Sequence, residues 1–113
     1  MKKYFLLFVV FYGCHSAEVV RFDNSKQYPP TKTVEIFTDI PQEDYIEIGY
    51  VEAKGGITVK KDQLLEDMKE EAKASGADGL IKVEFYDRQY YNNTIGQYEK
   101  PGAKAVMIKF KKK

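Results

Sequence analysis

The chain has a single thiol, Cys14, and a single imidazole, His15, and the two are neighbours near the N-terminus. From Ser16 onward there is neither histidine nor cysteine, so a Ser-His-Asp set or a Cys-His pair cannot be assembled there. No His, Cys or clustered Asp/Glu pattern in that stretch has metal-ligand spacing. A carboxylate pair drawn from Glu47, Glu52 and Glu84 is the one remaining acid/base candidate. Acidic residues alternating along strands ordinarily form a solvated sheet face. These residues predict a protein that is not an enzyme and holds no cofactor or metal.

The chemistry that remains is at Cys14 itself. Lys2 and Lys3 are followed by the apolar run from Phe5 to Tyr12 and then by Gly13-Cys14, the three parts of an export signal. Eight residues of helix rise about 12 Å against roughly 30 Å of bilayer core, too short for a permanent span. The expected division is therefore a signal peptide over 1–13, a lipidated N-terminus and tether over 14–32, and one folded domain over 33–113. An ordinary secretory signal and a buried apolar segment are the alternatives for the first part.

The Phe11-Tyr12-Gly13-Cys14 run resembles the lipobox of bacterial lipoproteins, with Phe11 and Tyr12 where Leu and a small residue are more usual. The resemblance implies cleavage between Gly13 and Cys14, a thioether-linked diacylglycerol on Cys14 and usually a further acyl chain. It would explain a lone thiol in an exported chain. Two or three acyl chains anchor firmly where one is marginal. In such proteins an Asp after the cysteine commonly causes inner-membrane retention. His15 stands there, so the resemblance implies the outer membrane of a cell that has one.

Charge excludes some partners. The precursor has 18 Lys+Arg against 17 Asp+Glu, and loss of Lys2 and Lys3 leaves 16 against 17. A net of about −1 gives no global field for nucleic acid or an anionic membrane. Lys109, Lys111, Lys112 and Lys113 are a local exception that reads as a solvated strand end.

Elements must position whatever the domain presents. From Ser16 to about Lys32 no hydrophobic period is sustained, and Pro29-Pro30 enforces an extended stretch, which reads as the tether. A short edge strand through Val19, Val20 and Phe22 is the alternative. Thr33 to Thr38 and Tyr45 to Ala53 read as strands, the second with a change of parity after Tyr50 and with Gly49 as its natural bulge site. A helix from about Lys60 to Ser75 puts Leu64, Leu65, Met68 and Ala72 on one stripe and ends at Gly76 in a left-handed conformation. Leu80 to Tyr86, with Ile81, Val83 and Phe85 on one face, and Ala105 to Phe110, with Val106, Ile108 and Phe110, are half-buried strands. The expected fold is α+β, a β-β-α-β-β domain with one helix on a four-stranded sheet.

The stretch Ala72 to Val83, containing Gly76-Ala77-Asp78-Gly79, with Gly102 to Lys109 after it, resembles the core of the YbjQ-like small bacterial proteins and of RcsF-type outer-membrane lipoproteins. The resemblance covers roughly half the chain. It implies the helix-turn-strand-loop-strand order and, from the YbjQ-like side, oligomer formation. RcsF-type sensors carry domain disulfides for which this chain has no cysteines. The Gly-Ala-Asp-Gly run itself reads as a structural turn, with an anion loop as the alternative.

Asp87 to Gly102 reads as a long polar loop carrying Arg88, Tyr90, Tyr91 and Tyr98, a composition suited to a protein or glycan surface. An ordinary disordered hairpin tip with tyrosines leaning on the sheet is the alternative. Two functions are therefore expected: a lipid-anchored envelope interaction or stress-sensing module, contacting another envelope protein or peptidoglycan, or a small oligomeric ligand-binding protein.

Overall fold

A computed structural model describes residues 15–111; the segment 1–13 expected to be a signal peptide, Cys14 and Lys112-Lys113 lie outside them. The elements are β1 (His15–Arg21), β2 (Glu35–Ile36), β3 (Tyr45–Gly55), α1 (Lys61–Ala74), β4 (Gly79–Asn92) and β5 (Gly96–Phe110). They form one five-stranded sheet in the order β1-β3-β5-β4-β2, antiparallel except for the β2–β4 pair. Helix α1 joins β3 to β4 across the intervening β5, a split β-α-β unit.

The α+β class holds, but the sheet has five strands, not the expected four. The additional strand is β1, from the segment expected to be a tether. Ala17 and Val19 face the helix and pack on the core, and β1 pairs with β3 from His15↔Gly55 to Arg21↔Gly49. An uninterrupted run of seven residues without Gly or Pro is free to satisfy its backbone on β3. Residues 22–34 then run back beneath the end of the helix. The Thr31 amide donates to the Lys73 carbonyl at 2.9 Å, its hydroxyl donates to the Ala77 carbonyl at 2.5 Å, and Tyr28 packs on the core.

The helix face follows its sequence period. Leu64, Met68 and Ala72 are fully buried against Val51, Ala53, Ala103, Ala105 and Met107. The alanines under the helix leave room for it to lie close to β3 and β5, and Leu64 and Met68 fill that space. Truncating either of these two to Ala costs about 2 to 5 kcal/mol.

The end of the helix is a full Schellman motif. The Gly76 amide donates to the Lys73 carbonyl at 3.1 Å and the Ala77 amide to the Ala72 carbonyl at 2.9 Å, with Gly76 at φ +85°. Asp78 then accepts a hydrogen bond from the Phe110 amide at 2.8 Å, which locks the turn to the end of β5.

Two register shifts set the faces. Between Glu47 and Gly49 in β3 the ladder skips Ile48, and a side chain at Gly49 would strike the Val20 carbonyl oxygen. The expected parity change thus falls at Ile48-Gly49. In β4 the register shifts between Ile81 and Glu84, with Lys82 at φ +55°. This bulge corrects the expected face: Val83 packs on the helix-side core, whereas Ile81 sits opposite Val106 on the other face of the sheet. On that face Phe37 and Phe110 meet edge to face at 5.9 Å, and Ile81 and Ile108 are buried.

Candidate functional site

The segment expected to be a loop is a hairpin. β4 and β5 stay paired from Tyr86↔Gly102 out to Asn92↔Gly96, leaving three residues, Asn93, Thr94 and Ile95, as the turn. Gly96 at φ +82° supplies the left-handed residue that closes a three-residue turn, and the Thr94 amide donates to Asn92 Oδ1 at 2.7 Å. Polar residues alternate along both arms, so hydrophobicity gives little sign of strands. The ladder and its cross-strand pairs hold them instead.

Pairing assigns the side chains to faces. Tyr86, Arg88 and Tyr90 on β4 share a face with Gly102, Lys100 and Tyr98 on β5. Of the four expected loop residues, Arg88, Tyr90 and Tyr98 come together there, and Tyr91 does not. Tyr91 points from the opposite face, 71% exposed, opposite Gln97. Tyr90 and Tyr98 stack with ring centres 5.6 Å apart and planes 16° apart. Lys100 Nζ lies 4.9 Å from the Tyr90 ring centre and 5.8 Å from that of Tyr98, a cation on a two-ring platform.

Arg88 is turned inward. Its Nη2 donates to the Gly55 carbonyl at 2.8 Å and to the Pro101 carbonyl at 3.2 Å, and its Nη1 donates to the Tyr90 hydroxyl at 3.0 Å. Its Nε is buried and has no partner among the described residues. The guanidinium therefore holds the base of the hairpin on the end of β3.

Next to Arg88 the Tyr86 ring lies over Gly102, and its hydroxyl donates to the Glu52 carboxylate. Burial, and then the bond to the neighbouring carboxylate, push the Tyr86 phenol up to about 12. Tyr86 and Lys100 were not singled out from the sequence, and Glu52 was considered only for acid/base chemistry, not as the acceptor for Tyr86. They are legible only through the β4–β5 and β3–β5 registers, which place Glu52 beside Lys104 and bring Tyr86 within reach of it.

An open groove of about 380 Å³ runs along this end of the sheet, lined by His15, Ser16, Lys54, Gly55, Gly56, Arg88 and Lys100. Its charged lining is all basic. His15 Nδ1 also contacts Asp67 of the helix at 2.5 Å, so β1 is fastened to α1 at its first described residue. Among the described residues no group of three or more His, Cys, Asp or Glu is placed to hold a metal ion, and no helix is long and apolar enough to cross a membrane. Of the three carboxylates considered for acid/base chemistry, Glu52 and Glu84 line a half-open groove of about 440 Å³ with Lys82 and Lys104, in the cross-strand row Glu52-Lys104-Glu84, while Glu47 lines a separate one of about 220 Å³ with Arg21 and Phe22 and lies 3.9 Å from Lys82.

Compared with family models, curated proteins and solved structures, the chain matches none.

Proposed function

We propose that this protein is a non-catalytic interaction module of the bacterial cell envelope, anchored by lipid on Cys14 and sorted to the outer membrane, that presents the β4–β5 hairpin as its contact surface. The observation that carries the reading is the Tyr90-Tyr98-Lys100 platform. It is held on paired strands rather than on a loose loop, so its rings lose little entropy when they are covered. Buried aromatic anchors of this kind can each contribute about 2 kcal/mol or more to association.

A second reading, self-association, is favoured by Val20, Phe22 and Tyr50. They are exposed together on the sheet face beside β1, whose outer edge pairs with no other strand among the described residues, with Phe22 and Tyr50 ring centres 6.0 Å apart.

Site-specific photo-crosslinking in intact cells tests the first reading. A crosslinker at position 98 should capture envelope components, and one at the exposed Ile40, at the opposite end of the sheet, should not. Equal capture from both positions would refute the hairpin as contact surface. The mass of the purified protein should show acylation that Cys14→Ser abolishes. Acyl label retained by that variant would place the anchor elsewhere.

A further inference from the structure

The hairpin end of the domain carries an inference about its partner. We propose that it docks on an anionic bilayer, with the groove between His15, Lys54, Arg88 and Lys100 receiving the phosphate of a lipid headgroup. The proposal rests on the reading of Cys14 as the lipid anchor.

The first argument is reach. β1 begins at His15, one residue after Cys14, and consecutive Cα atoms are only about 3.8 Å apart. A flexible spacer of many residues would let the domain stand off the membrane. Here the anchored residue is joined directly to a strand built into the sheet, so that end of the sheet is confined to the bilayer surface.

The second is direction. His15 pairs with Gly55, and the β4–β5 hairpin continues past this row on the same side. Five residue steps of β5, from Pro101 to Gly96, extend it by about 17 Å at the usual strand rise. A bilayer reached by Cys14 is thus within reach of the hairpin. Its outer part carries Ile95 and Tyr91, 62% and 71% exposed, on the turn and on the face away from the groove. Tyrosine is at home at the headgroup level, where its ring and hydroxyl meet different surroundings.

The third is charge. Among the described residues neither Lys54 nor Lys100 is paired with a carboxylate. Of the nearby acids, Asp67 contacts His15 and Glu99, on the far face of the hairpin, accepts from Gln89 at 2.5 Å, whereas Glu52, bonded to Tyr86, and Glu18 opposite it keep their charge one cross-strand row behind Lys54. The near-neutral chain therefore concentrates cations at the end where its lipid would hold it. Each basic side chain near an anionic leaflet strengthens association about fivefold, the equivalent of about 1 kcal/mol.

The experiment uses the mature protein purified from the cell envelope, with its acylation checked by intact mass, so that failure of the anchor reading is seen separately. It is reconstituted in vesicles of phosphatidylcholine alone or of phosphatidylcholine with phosphatidylglycerol, and lysine labelling by a water-soluble amine reagent is followed residue by residue. Lys54 and Lys100 are expected to label several-fold more slowly on the anionic vesicles, and Lys26, at the far end, at the same rate on both. Lys54→Glu should return Lys100 to its rate on phosphatidylcholine. Equal labelling of Lys100 on the two membranes would overturn the proposal. So would equal protection by inorganic phosphate without anionic lipid, which assigns the groove to a soluble anion, or protection seen only in intact cells, which assigns it to an envelope protein.

Discussion

Arg88 and Gly55, 33 residues apart in the chain, are joined by a 2.8 Å hydrogen bond from the guanidinium to the glycine carbonyl. The bond fixes the base of a projecting hairpin to the end of β3, and with it the orientation of the Tyr90-Tyr98 stack. Arg88→Ala is expected to cost about 1 to 3 kcal/mol, since it removes bonds from a charged donor and strands part-buried carbonyls. Hydrogen exchange should accelerate most in the hairpin amides. Loss of stability with unchanged relative protection there would separate the bond from hairpin order.

The tyrosines of the hairpin divide by face. Tyr98→Ser breaks a stacked pair and should destabilise by about 0.5 to 1.5 kcal/mol. Tyr91→Ser, on the exposed side, should stay within about 0.5 kcal/mol of the parent. Denaturant midpoints of the two variants check the division, and equal losses would contradict the assignment of faces.

Two positive-φ residues predict shifts of opposite sign. Gly76→Val should cost at least about 1 to 2 kcal/mol, because a side chain there is strained at φ +85° and would meet Tyr28 Cβ at 2.5 Å. Lys82→Gly should stabilise by about 0.5 to 1 kcal/mol, since it relieves a left-handed residue whose ion pair with Glu47 is long and exposed. Melting temperatures that moved in the same direction would contradict one of the two backbone assignments.

β1 is tested by a substitution that a tether would tolerate. Val19→Asp puts a carboxylate on the side of β1 that packs against the core and should lower stability by about 1 to 3 kcal/mol. An unchanged melting curve would return residues 15–21 to a spacer and remove the argument that the domain lies against the membrane.

Tyr86 predicts an alkaline limit. Its phenol is raised from 10.0 to about 12 in the folded protein, so the folded state holds a proton that the unfolded state gives up first. The resulting stability is fully present below pH 10 and is lost as pH rises from about 10 to about 12. Tyr86→Phe should be less stable at neutral pH, for want of the bond to Glu52, and should show a shallower alkaline decline. Denaturant unfolding across that range reads both effects.

Helix α1, its Gly76 stop and the parity change beside Gly49 were legible in the sequence because each is set by local chemistry. A 3.6-residue period, a left-handed glycine and a bulge glycine act over a few neighbours. The absence of His and Cys beyond His15 is likewise a property of the chain alone. β1, the hairpin arms and the facing of Ile81 were decided by tertiary structure. Val19 becomes a strand residue because β3 offers an edge under the helix, and Arg88 becomes a clamp because Gly55 lies beside it. The polar arms pair without a buried apolar face, so no hydrophobic period marks them. The groove gathers Lys54, Arg88 and Lys100, three cations up to 46 positions apart, a proximity that only the registers of β3, β4 and β5 create.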